Sequence, residues 1–302
     1  MSSLPPWPNG PTDSAAPCSS GIRAAVVAIG ILGAAMGTLW IAAAIPGWVR
    51  WEQTMLGGTW LVQILAFMVV PLVAVRLLGG RAGQLGVTFG GIARPLETAL
   101  TALAVVGPAN GAAFPLLAVL GWSPLSWRGG LVLAAVYAAS FPLTGLLIRN
   151  VRPTAHDTLP LPHLGMAAGV LAVAVAASAS TAGSAPVVSA VLLPLLVVGP
   201  GEELLFRGVV QTGLDQALGR PWRIFGAELG WGWVIASLLF GLAHFLSPVT
   251  FGHGGWALWT AVSGLLFGYI RAKGGSFVAS GLVHGVLLAI AAVITELAAN
   301  QS

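Results

Sequence analysis

Ionisable side chains are sparse over stretch after stretch of this chain, each long enough to matter. A helix crossing a bilayer needs about 20 mainly apolar residues. Segments at 22–45, 57–78, 96–121, 129–148, 164–183, 185–206, 226–246, 255–271 and 276–298 approach or exceed that length. Charged residues make up 7% of the chain and hydrophobic residues 57%. A soluble domain carries roughly 25% charged residues, so this chain has too few to cover a water-facing surface. The pattern predicts an all-α, polytopic integral membrane helical bundle of eight or nine transmembrane helices. It is eight if 164–183 and 185–206, whose junction is very tight, form one span.

Three regions follow. Residues 1–21 are rich in Pro and Ser and read as a disordered tail. Residues 22–184 supply N-terminal membrane helices, and no cleavable signal peptide precedes them. Residues 185–298 form a C-terminal core. In the third segment, Gly107-Pro108-Ala109-Asn110-Gly111 predicts a kink, with Asn110 as a helix-break residue. The sixth contains Pro200 and reads as continuing in an amphipathic helix to about Leu218. The single cysteine, Cys18, excludes an intrachain disulfide and a Cys-rich metal site.

The net charge is +4 and comes almost wholly from arginine. There is no Lys/Arg-rich run and no interleaved basic and aromatic patch, which excludes a nucleic-acid footprint. Arg23, Arg76, Arg81, Arg94, Arg149, Arg152, Arg220, Arg223, Arg271 and Lys273 all fall at the N-terminal end or at and after the ends of even-numbered segments. Only Arg50 and Arg128 fall after odd-numbered ones, with Arg207 set aside. The positive-inside rule then places the N-terminus in the cytoplasm. Heavy use of Ala, Gly and Arg suggests a GC-rich bacterial genome and hence a bacterial plasma membrane.

An ionisable side chain at mid-membrane costs at least about 2.5 kcal/mol on insertion scales, so the few present single themselves out. Glu202, Glu203 and Arg207 lie in one apolar segment, His244 in the next and His284 in the last. Glu203 and Arg207 are four apart and share a helix face, so they can pair. Glu202 is rotated about 100° away on a 3.6-residue helix. It therefore points elsewhere, without a covalently nearby cation, as suits a general base acting on water. Phe240 and His244 are also four apart, which lets the ring pack beside the imidazole. Each feature has a plainer reading. Acidic residues after Gly199-Pro200-Gly201 suit a helix N-terminus, Arg207 suits a structural lock, and a lone histidine in an apolar helix is more often a satisfied core group. His156, His163 and His253 lie in loops.

The combination carries more than its parts. Glu202-Glu203-Leu204-Leu205-Phe206-Arg207, then Phe240-Gly241-Leu242-Ala243-His244, then His284 on a later helix, resembles the CAAX-protease and bacteriocin-processing family (CPBP, or Abi) over roughly residues 185–290. The resemblance implies glutamate-based peptide hydrolysis within the membrane. Glu202 with His244 would activate water, and His284 would help stabilise the oxyanion. Glu203, Arg207 and Phe240 would support them. It implies a membrane-associated protein or peptide substrate and membrane lipid as the surrounding partner. A bacterial source argues against a prenylated substrate. The favoured reading is metal-free, although Glu202, His244 and His284 would supply enough ligands for a catalytic zinc.

Two points resist the resemblance. The third motif of the family usually has Asn or Asp four residues after its His, where this chain has Leu288. Ser280, one turn before His284, is a possible substitute donor. Spans of ordinary length also put Glu202 near the cytoplasmic end of its helix and His244 near the opposite end of the next. Cooperation between them then calls for a break at Pro200, after which the helix re-enters the membrane. The competing readings are a proton-coupled transporter, since membrane-embedded Glu and His also serve proton relays, and a catalytically silent scaffold.

Overall fold

The computed structural model describes residues 17–78, 92–151, 173–178, 180 and 186–299. Residues 17–21 of the expected tail already belong to the first helix, α1 (Pro17–Ala44). A short helix, α2 (Trp48–Leu56), follows, then α3 (Trp60–Leu77), α4 (Ala93–Val119) and α5 (Trp127–Ile148). The expected fifth segment lies mostly outside the described residues, of which 173–178 are helical. The C-terminal part comprises α6 (Val187–Leu218), strands β1 (Trp222–Ile224) and β2 (Ala227–Leu229), α7 (Trp231–Leu246), α8 (Gly254–Gly274) and α9 (Phe277–Ala299).

Six helices among the described residues, α1, α3, α4, α5, α6 and α9, are long and apolar enough to cross a membrane. The chain is therefore a helical, polytopic membrane protein. The seventh expected span is the shorter apolar helix α7. The eighth, α8, carries Arg271 and Lys273 in its last turn. The third segment runs as one helix with Pro108 and Pro115 inside it.

Two features depart from the sequence reading. The stretch before α7 is an antiparallel hairpin rather than a plain loop, pairing Trp222 with Leu229, Arg223 with Glu228 and Ile224 with Ala227. Its turn, Phe225-Gly226, has φ of 45° and 74°. Two successive left-handed residues make the turn whose twist matches paired strands. The second departure concerns the break at Pro200, which does not occur. Helix α6 continues through it for 32 residues. The chain accommodates the prolines by widening: Pro194–Val198 and Leu204–Gln211 are π-helical. A proline withholds an amide from the ladder, and a wider turn is one way to absorb that loss. Glu202 consequently sits mid-helix, not at a span end.

The basic residues gather at one end of the bundle. Lys273 Nζ donates to the carbonyls of Arg149 (2.7 Å) and Gly226 (3.4 Å). Arg220 pairs with Asp215 at 3.5 Å, and Arg271 donates to Thr212 Oγ1 at 2.7 Å. Gly274 meets Pro95 and Thr98 beside Arg94, and Gly213 meets Ala24 and Ala28 beyond Arg23. At the other end, Trp40 Nε1 donates to the Leu246 carbonyl (3.0 Å), Trp127 lies against Gly254, and Arg128 caps the Trp122 ring. Among the described residues the main core cluster draws on α1, α3, α4 and α5 as well as α6 to α9.

Candidate active site

Helix α6 delivers both glutamates into the bundle. Glu203 is fully buried and its Oε2 accepts from Arg207 Nε at 3.1 Å, as the four-residue spacing predicts. Arg207 is itself fully buried. Among the described residues its Nη1 and Nη2 find no hydrogen-bond acceptor, and its guanidinium lies 5.1 Å from the centre of the Phe240 ring. A cation over an aromatic face is stabilised by the ring quadrupole. The π-helical turn frees a carbonyl, which Thr212 Oγ1 takes up by donating to Arg207 O at 3.0 Å. Arg271 of α8 donates to that same hydroxyl, so a second cation braces the turn.

Glu202, one residue earlier, points away from this pair and towards two imidazoles. Its Oε2 lies 3.9 Å from Nε2 of His244 and 3.9 Å from Nε2 of His284. The three residues that sequence reading singled out thus converge on one carboxylate oxygen. Close helix crossing makes this possible. Gly281 and Gly285 of α9 pack on Pro200, Leu195 and Gly199 of α6, and a Cβ on Gly199 would lie 2.4 Å from Gly285 N. Small residues spaced four apart let membrane helices approach to backbone contact. That contact sets His284, between the two glycines, beside both glutamates.

His244 is held by its far nitrogen. His244 Nδ1 lies 2.9 Å from the Phe240 carbonyl. A carbonyl only accepts, so Nδ1 carries the hydrogen and Nε2 of the neutral ring faces Glu202 as a lone pair. His284 Nδ1 lies 3.4 Å from Glu203 Oε1. That contact lacks hydrogen-bond geometry, and neither atom has a hydrogen-bond partner among the described residues. The Glu202 carboxylate and the Nε2 lone pair of a neutral His244 are both acceptors, an arrangement complementary to a molecule that brings its own protons. The Phe240 ring meets His244 edge-on at 4.6 Å and His284 at 5.8 Å. Of the three side chains His244 is the most open, at 19% exposure against 9% for Glu202 and 8% for His284.

The same residues are the candidate zinc ligands. Tetrahedral zinc with bonds of about 2.0–2.1 Å holds its ligand atoms about 3.3 Å apart. Both separations here are 3.9 Å, and among the described residues no group of three His, Cys, Asp or Glu is placed to hold a metal ion. The arrangement as it stands does not fit a tetrahedral metal.

Sequence reading missed several neighbours. Glu203 does more than pair with Arg207, since it also reaches His284. Phe267 of α8 stacks on His284 at 4.7 Å with an interplanar angle of 21°, and no motif marked it. Asn110 is buried rather than breaking a helix. Its Nδ2 donates to the Leu287 carbonyl at 3.3 Å and its Oδ1 accepts from Tyr137 at 3.1 Å. The scarcity of tyrosine was a usable signal, because Tyr137 and Tyr269 are the only two and both are buried. Ser280 is fully buried and donates to the Phe277 carbonyl at 3.1 Å, while Leu288 is half-buried. His253 is exposed, and His156 and His163 lie outside the described residues.

Residues 184–290 match the type II CAAX prenyl endopeptidase Rce1-like family. The Rce1-like stretch contains Glu202, Glu203, Arg207, Phe240, His244, Phe267 and His284, and leaves Asn110 and Tyr137 outside. It agrees with the CAAX-protease resemblance of the motifs and supports an intramembrane peptidase. No curated protein and no solved structure matches the chain.

Proposed function

We propose that the protein is an intramembrane endopeptidase in which Glu202 and His244 activate water against a peptide bond. The observation that carries this reading is the convergence of two imidazole Nε2 atoms on one carboxylate oxygen at 3.9 Å. That separation is too long for a direct hydrogen bond and within reach of a shared water. The water gives a proton to Glu202 or His244 as its oxygen attacks the carbonyl carbon. The tetrahedral oxyanion then needs a donor, and His284, carrying a proton taken from solvent before the attack, hydrogen-bonds it through Nε2–H without giving that proton up. Collapse of the intermediate breaks the C–N bond, and the stored proton passes to the leaving amine. Glu203 lies beside His284 Nδ1 and Arg207 pairs with Glu203.

The substrate is a membrane-associated protein or peptide. His244 is the most open catalytic group, and the outer face of its helix carries exposed Leu238, Leu242 and Phe245. A lipid-embedded substrate reaches the site from that side. The family name introduces prenylated C-termini as one substrate class. The bacterial composition favours another anchor, in a bacterial plasma membrane with the basic end and the N-terminus in the cytoplasm. None of these observations favours a proton-coupled transporter or a silent scaffold.

Terminal-peptide mass spectrometry on membranes carrying the wild type, Glu202→Ala or His244→Ala tests the reading whatever the substrate is. The wild type should generate new termini in membrane-associated proteins that both variants lack. Identical sets of termini from all three, with the variants still folded and inserted, would overturn it.

A further inference from the structure

We propose that Asn110 and Tyr137, from helices outside the Rce1-like stretch, are positioning residues for His284. The inference rests on the peptidase reading of that histidine, and one of its tests is independent of activity.

Both residues are costly where they stand. Asn110 is 1% exposed and Tyr137 2% exposed, in the apolar helices α4 and α5. A buried amide and phenol in an apolar span are tolerated when they satisfy one another, but two apolar residues would fill the space more cheaply. Their bonds run outward from the pair towards His284 by two routes. Asn110 Nδ2 donates to the carbonyl of Leu287, one turn beyond His284 on the same helix. Tyr137 donates to Asn110 Oδ1, which fixes the amide so that its NH2 faces Leu287. The Tyr137 ring also meets Phe267 edge-on at 6.2 Å and 89°, and Phe267 is the ring stacked on the His284 imidazole. One hydrogen-bonded pair thus fixes the backbone that carries His284 and the surface against which its ring lies.

Misplacing a catalytic group by about 1 Å costs on the order of 10²-fold in rate. The informative variant is the double replacement N110L/Y137F. It removes both hydrogen bonds, keeps the aromatic ring against Phe267, and leaves no unsatisfied polar side chain at either position. Its melting temperature in detergent should stay close to wild type. With a quenched peptide copied from a wild-type-specific cleavage site, its kcat should fall at least tenfold with KM unchanged. Spectra of ¹⁵N,¹³C-histidine protein, with the His284 signals assigned by His284→Gln, should show those signals shifted or broadened while those of His244 stay in place. A double variant that melts, turns over and resonates like the wild type overturns the inference alone. Absence of any wild-type cleavage overturns the peptidase reading, and unmoved His284 signals in that case overturn the positioning role as well.

Discussion

At the scale of single residues, the candidate site has two adjacent glutamates with different surroundings because a helix turns about 100° between them. Glu203 belongs to a buried ion pair, and removing one partner of such a pair costs about 3–5 kcal/mol by stranding the other charge. Glu203→Ala should therefore lower the melting temperature sharply, whereas E203L/R207L, which removes both charges, should recover most of the loss and remain inactive. Thermal unfolding in detergent separates the two. Glu202 has no such partner, so Glu202→Gln should melt like the wild type and lose about 10²–10⁴-fold in cleavage rate, the usual worth of a general base. Glu202, His244 and His284 were legible in the sequence because an ionisable group in an apolar segment stands out from its neighbours. Phe267 was not, since a phenylalanine in an apolar helix looks like any other core residue. The His284–Glu203 contact was hidden because it depends on the angle at which two helices cross.

At the scale of elements, that angle is set by glycine and proline. Gly199→Ala would place a methyl group against the backbone of α9. Overpacking of this kind costs about 1–3 kcal/mol, and it should also separate Glu202 from His284 and suppress cleavage. Gly111→Ala on α4 is the matched control, since a Cβ there meets nothing within 4 Å and both readouts should stay put. The continuation of α6 to Leu218 was legible in the sequence. The π-helical widening on either side of Pro200 was not, and it appears only in the bundle. The short helix α2 carries a separate prediction. Glu52 is buried, and its Oε1 accepts from the amides of Leu61 (2.6 Å) and Val62 (3.2 Å) at the start of α3. Burial pushes its carboxyl above the ordinary 4.5, against the pull of those two amides. A raised carboxyl favours the folded state only while protonated, so its contribution is lost as pH rises through that region. Glu52→Gln keeps an acceptor for both amides and cannot ionise. The variant should flatten the fall in melting temperature between acidic and neutral pH, which a pH series of thermal scans would detect.

At the scale of the whole molecule, the ends are chemically unlike. One gathers Arg94, Arg149, Arg220, Arg223, Arg271 and Lys273, and the other has Arg50 and Arg128 among tryptophans. In a Cys18→Ser background, Ser123→Cys should react with an impermeant maleimide on intact cells, and Asn150→Cys only after permeabilisation. The reverse pattern would invert the assigned orientation. The alternation of charge that implied this arrangement was legible because it needs only the order of spans. Their exact number was not, because a helix such as α7, 16 residues long, falls short of the length on which counting relies. The shared core has one more consequence. Helices α4 and α5 lie outside the stretch that matches the family. Positions 110 and 137 are not free singly, because losing either hydrogen-bonding group strands the other in an apolar interior. Substitutions at these two positions should therefore arise in pairs, polar for polar or apolar for apolar, within a background where neighbouring positions change independently.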